Sequence, residues 1–294
     1  MAISKAVKTR RIVVGIICIA LFFSAFFLAL YAYQNDLTQR SSGYSFGVDE
    51  KEPNRISLPI GFLAVDPIKG DLSIRIAPIP HGSFAIGETD IMSTDLNFYA
   101  SIEGGKGDLQ IKKKKISPSV DGTLSLFNGR VTDYPFDTHE AEIYLYFSNP
   151  KDEKQSIPME VDFIGALPGY NIDTDIIKGF DSAEEIGVKI KISRSIITKA
   201  FAMFILIAMW LVPLAVLFMA LAVLLQNRPA ELGMFAYMGA LLFALPAVRN
   251  IQPGIPPVGT LTDFLSFFWA ELLVAIAQMI IFYCWFTRYK PKDS

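Results

Sequence analysis

The sequence predicts an α+β membrane protein in which an extracytoplasmic antiparallel β-sandwich stands on a four-helix transmembrane base. Two observations predict this fold class. Four long apolar segments surround one long polar insert, and the insert alternates apolar and polar residues with the period of a β-strand. The apolar segments are residues 12–33, 201–225, 232–248 and 264–286.

Each apolar segment is long enough to cross a hydrocarbon core of about 30 Å as a helix, which satisfies its own backbone hydrogen bonds. Basic residues resist translocation and therefore set the orientation. They precede the first segment, occupy the short turn 226–229 and end the chain. Residues 1–11 and the tail 287–294 are thus predicted in the cytoplasm, and residues 34–195 and the loop 249–262 outside it.

The first apolar segment is predicted to be an uncleaved signal anchor. Its apolar run exceeds the roughly 7 to 15 residues of a cleaved secretory signal, and no clear small-x-small cleavage site follows it. The predicted location is therefore the cell membrane, which the chain crosses several times.

The insert, residues 34–195, is predicted to fold into roughly eight to ten strands separated by Gly-rich or Pro-rich turns. Its alternation is clearest at residues 72–76, 139–147 and 188–192. The insert carries 17 Lys or Arg and 25 Asp or Glu, a net charge of −8. This negative charge argues against nucleic acid as a partner, because phosphates bind to a positive surface.

One turn and one loop are predicted to couple the sandwich to the membrane. In the turn 134–137, the proline fixes its own φ and the aspartate accepts hydrogen bonds from nearby backbone amides. The proline-rich loop 249–263 is predicted to be extended and to dock under the sandwich. The predicted coupling residues are Tyr134, Pro135, Phe136, Asp137, Pro253, Pro256 and Pro257.

The turn 134–137 resembles the Phe-Pro-Phe-Asp loop of pentameric ligand-gated channels, which lies between their extracellular sandwich and their transmembrane helices. Those channels place all four helices after the sandwich, whereas one apolar segment precedes it here. Their second helix lines the pore with hydroxyl and small residues, but residues 232–248 contain no Ser or Thr. This local resemblance keeps a channel among the alternatives.

Several longer segments are distinctive: residues 65–70 (VDPIKG), 133–137 (DYPFD), 245–250 (LPAVRN), 252–259 (QPGIPPVG) and 268–271 (FWAE), with Asp263 between the last two. Together they resemble an uncharacterised membrane family, domain-of-unknown-function family 4436. The resemblance implies the topology predicted above. It implies no activity, so no catalytic residue follows from it.

The last two apolar segments contain polar residues that are costly to keep in lipid. Glu271 lies eight residues past Asp263, about 12 Å further along a helix, and shares a face with Gln278. Glu271 either binds a cation or relays a proton, or it is a neutral acid bonded to Gln278, Tyr237 or Arg249. The predicted intramembrane polar site comprises Asp263, Glu271, Gln278 and Arg249.

One dense basic run stands out in the insert: Lys112, Lys113, Lys114 and Lys115. Two interpretations remain open. Lysines on an edge strand discourage aggregation between sheets. Four adjacent positive charges also favour contact with lipid phosphates or with an anionic envelope polymer.

No catalytic, cofactor or metal site is predicted, because no motif for nucleophilic, metal or nucleotide chemistry is complete. The favoured hypothesis is an integral membrane protein whose sandwich binds a partner protein, a lipid or an envelope component. One alternative is a subunit of an oligomeric channel or transporter that uses Glu271, and another is a membrane-bound enzyme. The expected partners are the lipid bilayer and either further copies of the chain or another membrane protein.

Overall fold

The computed structural model of the chain describes residues 44–49, 51–104, 107–151, 157–182 and 185–288, together with scattered positions between 10 and 34. The chain divides into two compact units, Met1–Ser42 and Gly43–Ser294. In the first unit the described residues between 10 and 34 are helical. The predicted first span, residues 12–33, lies partly outside the described residues. The second unit contains all the strands described below and three long helices.

Two β-sheets form the first part of the second unit. Their strands are β1 (Tyr44–Gly47), β2 (Ile56–Asp66), β3 (Asp71–Ile76), β4 (Ile79–Pro80), β5 (Leu96–Ala100), β6 (Asp108–Ile111), β7 (Val120–Ser125), β8 (Thr138–Ser148), β9 (Met159–Ile164), β10 (Tyr170–Asp181) and β11 (Glu185–Arg194). The first sheet has the order β1-β9-β2-β3-β7, with β4 beside β2, and the second has the order β10-β11-β8-β5-β6. The described residues thus form slightly more strands than predicted.

Alternating side chains explain why the two sheets pack face to face. In β8, Ala141, Ile143 and Leu145 are buried, while the residues between them are partly exposed. These buried side chains join those of the first sheet, such as Leu58 and Ile74, in one hydrophobic core. The β-sandwich predicted from the period-two pattern is therefore confirmed.

One strand pair departs from the predicted antiparallel arrangement. Strands β2 and β9 run parallel, with Ile56 opposite Met159 and Gly61 opposite Ile164. Alternation reports which face of a strand is buried, but it does not report which neighbour the strand pairs with. The sequence pattern therefore carried no signal for this pair.

Three helices follow the sandwich: α1 (Ile196–Leu225), α2 (Leu232–Asn250) and α3 (Phe268–Arg288), the last preceded by a π-helical turn at Asp263–Phe267. All three are long and apolar enough to cross a membrane. Helix α1 begins earlier than the hydropathy pattern predicts, because Ser195 caps it. The Ser195 hydroxyl accepts a hydrogen bond from the amide of Thr198 at 3.3 Å.

The strand connections bring one end of the sandwich to the helices. Strand β11 ends at Arg194 and passes through Ser195 directly into α1. Strand β8 begins at the same end, since Thr138 lies opposite Ser193, and so does β10, since Tyr170 lies opposite Arg194. We call this end of the sandwich the junction, and the opposite end the far end.

Candidate coupling site between the sandwich and the helices

A buried ion pair closes the junction on the sandwich side. The Nε of Arg194 donates to both carboxylate oxygens of Asp137, at 3.0 and 3.1 Å. Only 2% of each residue is exposed to solvent. The pairing of Ser193 with Thr138 across β11 and β8 brings the two side chains together, because each lies one residue beyond that register.

Two tyrosine rings enclose the guanidinium of Arg194. Its central carbon lies 5.0 Å from the ring centroid of Tyr134 and 4.6 Å from that of Tyr170. Both distances fall within the range of a cation–π contact, which strengthens when water is excluded. The arginine is therefore held by one carboxylate and by two aromatic faces.

The ionisation states at the junction follow from these contacts. Burial raises the pKa of Asp137, but hydrogen bonds with His139 and Arg194 outweigh it, and the pKa lies below its ordinary value of 3.8. His139 Nε2 lies 3.2 Å from the second carboxylate oxygen. Burial raises the pKa of Tyr134 to about 12 despite the nearby positive charge of Arg194, and burial also raises the pKa of Tyr170. Asp137 is thus ionised and both phenols are protonated at neutral pH.

The proline-rich loop lies directly beneath this cluster. The Tyr134 hydroxyl donates to the carbonyl of Pro253 at 3.1 Å. Gly254 has a left-handed backbone, with φ at +60°, and a Cβ placed there would lie 2.7 Å from Nη1 of Arg194. Of the predicted turn, Tyr134, Pro135 and Asp137 are buried, whereas Phe136 is exposed.

A second buried ion pair fixes the loop to the helices. Arg249, near the end of α2, donates from Nε and Nη2 to the two carboxylate oxygens of Asp263, each at 2.8 Å. Its Nη2 also donates to the carbonyl of Pro256 at 2.8 Å. The amides of Gly259 and Thr260 donate to the same aspartate, at 2.8 and 2.9 Å. The middle and the end of the loop are therefore bonded to one ion pair.

The structure separates the predicted intramembrane polar residues into two groups. Arg249 and Asp263 pair at the end of the helices nearest the sandwich, while Glu271 and Gln278 lie further along α3. Within the described residues, Oε1 of Glu271 and Oε1 of Gln278 are buried without a hydrogen-bond partner. Among the described residues, the side chain of Arg249 donates hydrogen bonds to Asp263, Pro256 and Asn250 and not to Glu271.

The lysine run lies beside the edge strand, and not within it as the first of its two interpretations had it. Lys112 to Lys115 follow β6, the edge strand of the second sheet, and form an exposed turn rather than part of the strand. This turn lies at the far end. Ile111, just before the turn, is opposite Leu96 in β5, and the next residue of β5, Asn97, is opposite Ser148, the last residue of β8. Strand β8 has 11 residues, which places the turn on the order of 30 Å from the junction.

Arg194 and Tyr170 are the main junction residues that the sequence analysis missed. A usable signal was present in β11, where Ile190, Ile192 and Arg194 fall on one face at every second position. A basic residue at the end of an inward-facing series must be paired or enclosed. Tyr170 carries no such signal, because only the pairing of β10 with β11 places it there.

Comparison with known families divides the chain at this junction. Residues 46–190 match a family model described as Domain of unknown function (DUF4436). Residues 194–288 match a second model, Domain of unknown function (DUF8686), which includes the distinctive segments between residues 245 and 271. No curated protein matches the chain. The predicted resemblance to DUF4436 is confirmed over residues 46–190, whereas the segments between residues 245 and 271 match the other model.

Proposed function

We propose that this is an integral membrane protein that holds its β-sandwich outside the cytoplasm and binds an anionic component of the cell envelope with the far end of the sandwich. The three long apolar helices support the membrane placement. The basic turn between α1 and α2 and the basic tail support a cytoplasmic position for the opposite ends of the helices. The sandwich then extends outward from the membrane.

The observation that carries the proposal is a cleft of about 420 Å³ on the outer face of the second sheet. Tyr99 and Tyr146 lie opposite each other in its wall and are 47% and 39% exposed. Asn97, Gln110 and Asp108 add hydrogen-bonding groups. Accessible aromatic rings beside a few polar groups are typical of a binding site.

The exposed lysine turn favours a negatively charged partner. Lys112 follows Gln110 of the cleft by two residues, and Lys113, Lys114 and Lys115 continue the run. Their position at the far end favours an anionic partner in the envelope over the phosphates of the protein's own membrane. The buried junction supports a fixed orientation of the sandwich on the helices, because two ion pairs hold the sandwich, the loop and the helices together.

Binding of the full chain, reconstituted in lipid nanodiscs, to polygalacturonate tests this function, with neutral dextran as the comparison polymer. We expect tighter binding to the polyanion and weaker binding at high salt. Replacing Lys112 to Lys115 with Gln should reduce affinity by at least about tenfold, since each lysine near a polyanion contributes on the order of 1 kcal/mol. Tyr99→Ala should also reduce it.

The matched control is the double variant Lys178→Gln and Lys191→Gln, which removes two exposed lysines from β10 and β11 of the same sheet. It should bind like the unaltered protein. Equal affinity of the four-lysine variant and the unaltered protein would reject the far end as the binding site. Equal affinity for dextran and polygalacturonate would reject the anionic partner.

A second candidate function is a channel or transporter subunit that uses Glu271. The observation in its favour is the pair of unpartnered oxygens on Glu271 and Gln278, because such groups inside a membrane are usually retained for use. In liposomes, Glu271→Gln should abolish cation or proton flux without lowering the unfolding temperature, since glutamine cannot ionise. If the unaltered protein shows no flux and only Glu271→Leu destabilises it, Glu271 holds helices together instead.

A further inference from the structure

We infer that the junction end of the sandwich is itself a lipid-binding surface, whose apolar loop residues lie among the lipids of the outer leaflet. The inference rests on the proposed membrane placement of α1 to α3. We call this surface the lipid-facing rim, and it consists of Leu63, Ile68, Phe136, Ile164, Ile251 and Val258.

The strand pairing places the sandwich residues of the rim at one end. Strands β8, β10 and β11 all meet the junction, so Phe136, just before β8, lies there. Ile164 ends β9 and leads into the loop before β10. Strand β2 runs parallel to β9, with Gly61 opposite Ile164, which brings Leu63 and the turn with Ile68 to the same end.

Each rim residue presents a large apolar side chain to the surroundings. Leu63 is 47% exposed, Ile68 is 58% exposed, and Phe136 and Ile164 are each 54% exposed. In the loop beneath them, Ile251 and Val258 are each 59% exposed. A cluster of exposed apolar residues beside membrane helices marks a surface that is covered by lipid rather than by water.

The length of α1 sets the rim at the correct height for lipid contact. The helix has 30 residues, or about 45 Å, which matches a bilayer of about 40–45 Å with its headgroups rather than the hydrocarbon core alone. Its first residues continue the apolar surface of the rim, since Ile196 and Phe204 are 52% and 64% exposed. Ser195 joins this helix to β11 without any linker.

A cleft at the junction has the chemistry of a lipid site. It measures about 290 Å³ and lies between the turn that contains Ile68 and the loop residues Pro256 to Thr260. Val131, Pro257 and Val258 contribute further apolar walls. This volume is at the lower limit for a ligand pocket, so the cleft holds part of a lipid molecule rather than all of it.

The charges around the rim are mixed. Lys69 lies 3.6 Å from Asp66 in the turn between β2 and β3, and Arg130 and Asp133 are both exposed in the segment before β8. Neither sign prevails, so the rim does not require anionic lipid. Phosphatidylcholine, which has no net charge, is therefore the probe for the test.

Fluorescence quenching in liposomes tests the inference. The full chain, with Cys18 and Cys284 replaced by Ala, carries one environment-sensitive fluorophore on a single new cysteine, in Ile68→Cys, Phe136→Cys or Ile164→Cys. The liposomes contain phosphatidylcholine spin-labelled on the acyl chain, either near the headgroup or near the bilayer centre. We expect all three labels to be quenched severalfold more by the shallow spin label than by the deep one.

Labels at two control positions distinguish an error in the lipid-facing rim from an error in the membrane placement. Ile116→Cys labels an apolar residue at the far end that is 68% exposed, and it should not be quenched. Phe243→Cys labels the middle of α2, where the side chain is 84% exposed, and it should be quenched by the deep spin label. Quenching at residue 243 without quenching at the rim would overturn the lipid-facing rim alone. Absence of quenching at residue 243 would overturn the membrane placement and the rim together.

Discussion

Asp137 and Arg194 are two charges removed from water. Each is needed to compensate the other, although the pair as a whole adds little net stability to the fold. Desolvation offsets much of the attraction in a buried ion pair, but removing one partner leaves an uncompensated charge. Here His139, Tyr134 and Tyr170 occupy the remaining space around the pair. The pair therefore specifies how β8, β10 and α1 meet, because any other arrangement would bury a lone charge.

Asp137→Asn should destabilise the folded protein by about 3 kcal/mol, because it leaves the guanidinium of Arg194 buried without a counter-charge. The matched control is Asp121→Asn. Asp121 bonds to Arg75 through two contacts of 2.6 and 2.7 Å, but that pair is about half exposed, so the change should be too small to resolve. Thermal unfolding in detergent measures both, and equal effects would contradict the role assigned to burial.

The same aspartate predicts a pH dependence. Its pKa is lowered on folding, so its contribution to stability is fully present above the ordinary value of 3.8 and is lost as pH falls through the lower folded pKa. The difference in unfolding temperature between the unaltered protein and Asp137→Asn should therefore be constant from pH 5 to 7, on the order of the pair's full effect, and should shrink below about pH 4. A difference that grows on acidification would contradict the ionised pair.

The sequence singles out Tyr134 and Asp137, but it does not indicate their partners. The turn 134–137 is conspicuous in the chain, because a proline and an aspartate precede an alternating strand. Arg194 is separated from it by 57 residues. Contacts of that separation depend on strand pairing, and no residue pattern within either segment encodes the pairing.

At the scale of elements, the proline-rich loop is a second connection between the two cores, besides the direct passage of β11 into α1. One hydrophobic cluster lies within the sandwich and another lies between the helices. Residues 251–260 of the loop carry no regular secondary structure, yet Pro256 is bonded to Arg249, Gly259 is bonded to Asp263, and the carbonyl of Pro253 accepts the bond from Tyr134. Prolines suit this task because they restrict the loop before it folds.

Gly254→Ala should lower the free energy of unfolding more than Gly87→Ala does. Both glycines have a left-handed backbone, with φ at +60° and +65°, so each change should cost about 1 kcal/mol from backbone strain. Only at Gly254 does the added Cβ meet another group, Nη1 of Arg194, which is too firmly held to move aside. We expect an extra cost of about 1–2 kcal/mol there in detergent unfolding.

A double-mutant cycle checks the cause. In an Arg194→Gln background the obstructing nitrogen is removed, so Gly254→Ala and Gly87→Ala should then differ little. A persistent difference would place the cause elsewhere in the loop.

The elements that the sequence predicts best are those with a strong period. Strands β3, β8 and β11 alternate clearly, and the apolar runs of α1 to α3 are long. The lysine turn is harder to predict, because its four like residues carry no period that marks where β6 ends, and one of its two interpretations therefore put it on an edge strand. The π-helical turn at Asp263–Phe267 has no sequence signal either, since it lies at the start of a continuous apolar run.

At the scale of the whole molecule, the boundary between the two matched families runs through the ion pair. The DUF4436 match ends at residue 190 and the DUF8686 match begins at residue 194. Asp137 lies within the first match and Arg194 is the first residue of the second, although in the structure both lie in the sandwich, where Arg194 ends β11.

The pair predicts where a fragment of the sandwich must end in the sequence to be fully stable without the helices. A fragment of residues 36–195 retains Arg194, whereas a fragment of residues 36–193 leaves Asp137 buried without its partner. Both should be β-rich, because the core of the two sheets is complete in each. The longer fragment should be more stable in urea by about 2 kcal/mol, less than a fully buried pair because the loop no longer covers it.

Arg194→Gln in the longer fragment is the matched control, since it removes the charge but keeps the chain length. It should lower the urea midpoint to that of the shorter fragment, with a similar dependence on denaturant concentration. If both fragments and the variant unfold at the same urea concentration, Arg194 acts only in the presence of the helices. The junction would then be an interface formed after the sandwich has folded, rather than part of the sandwich itself.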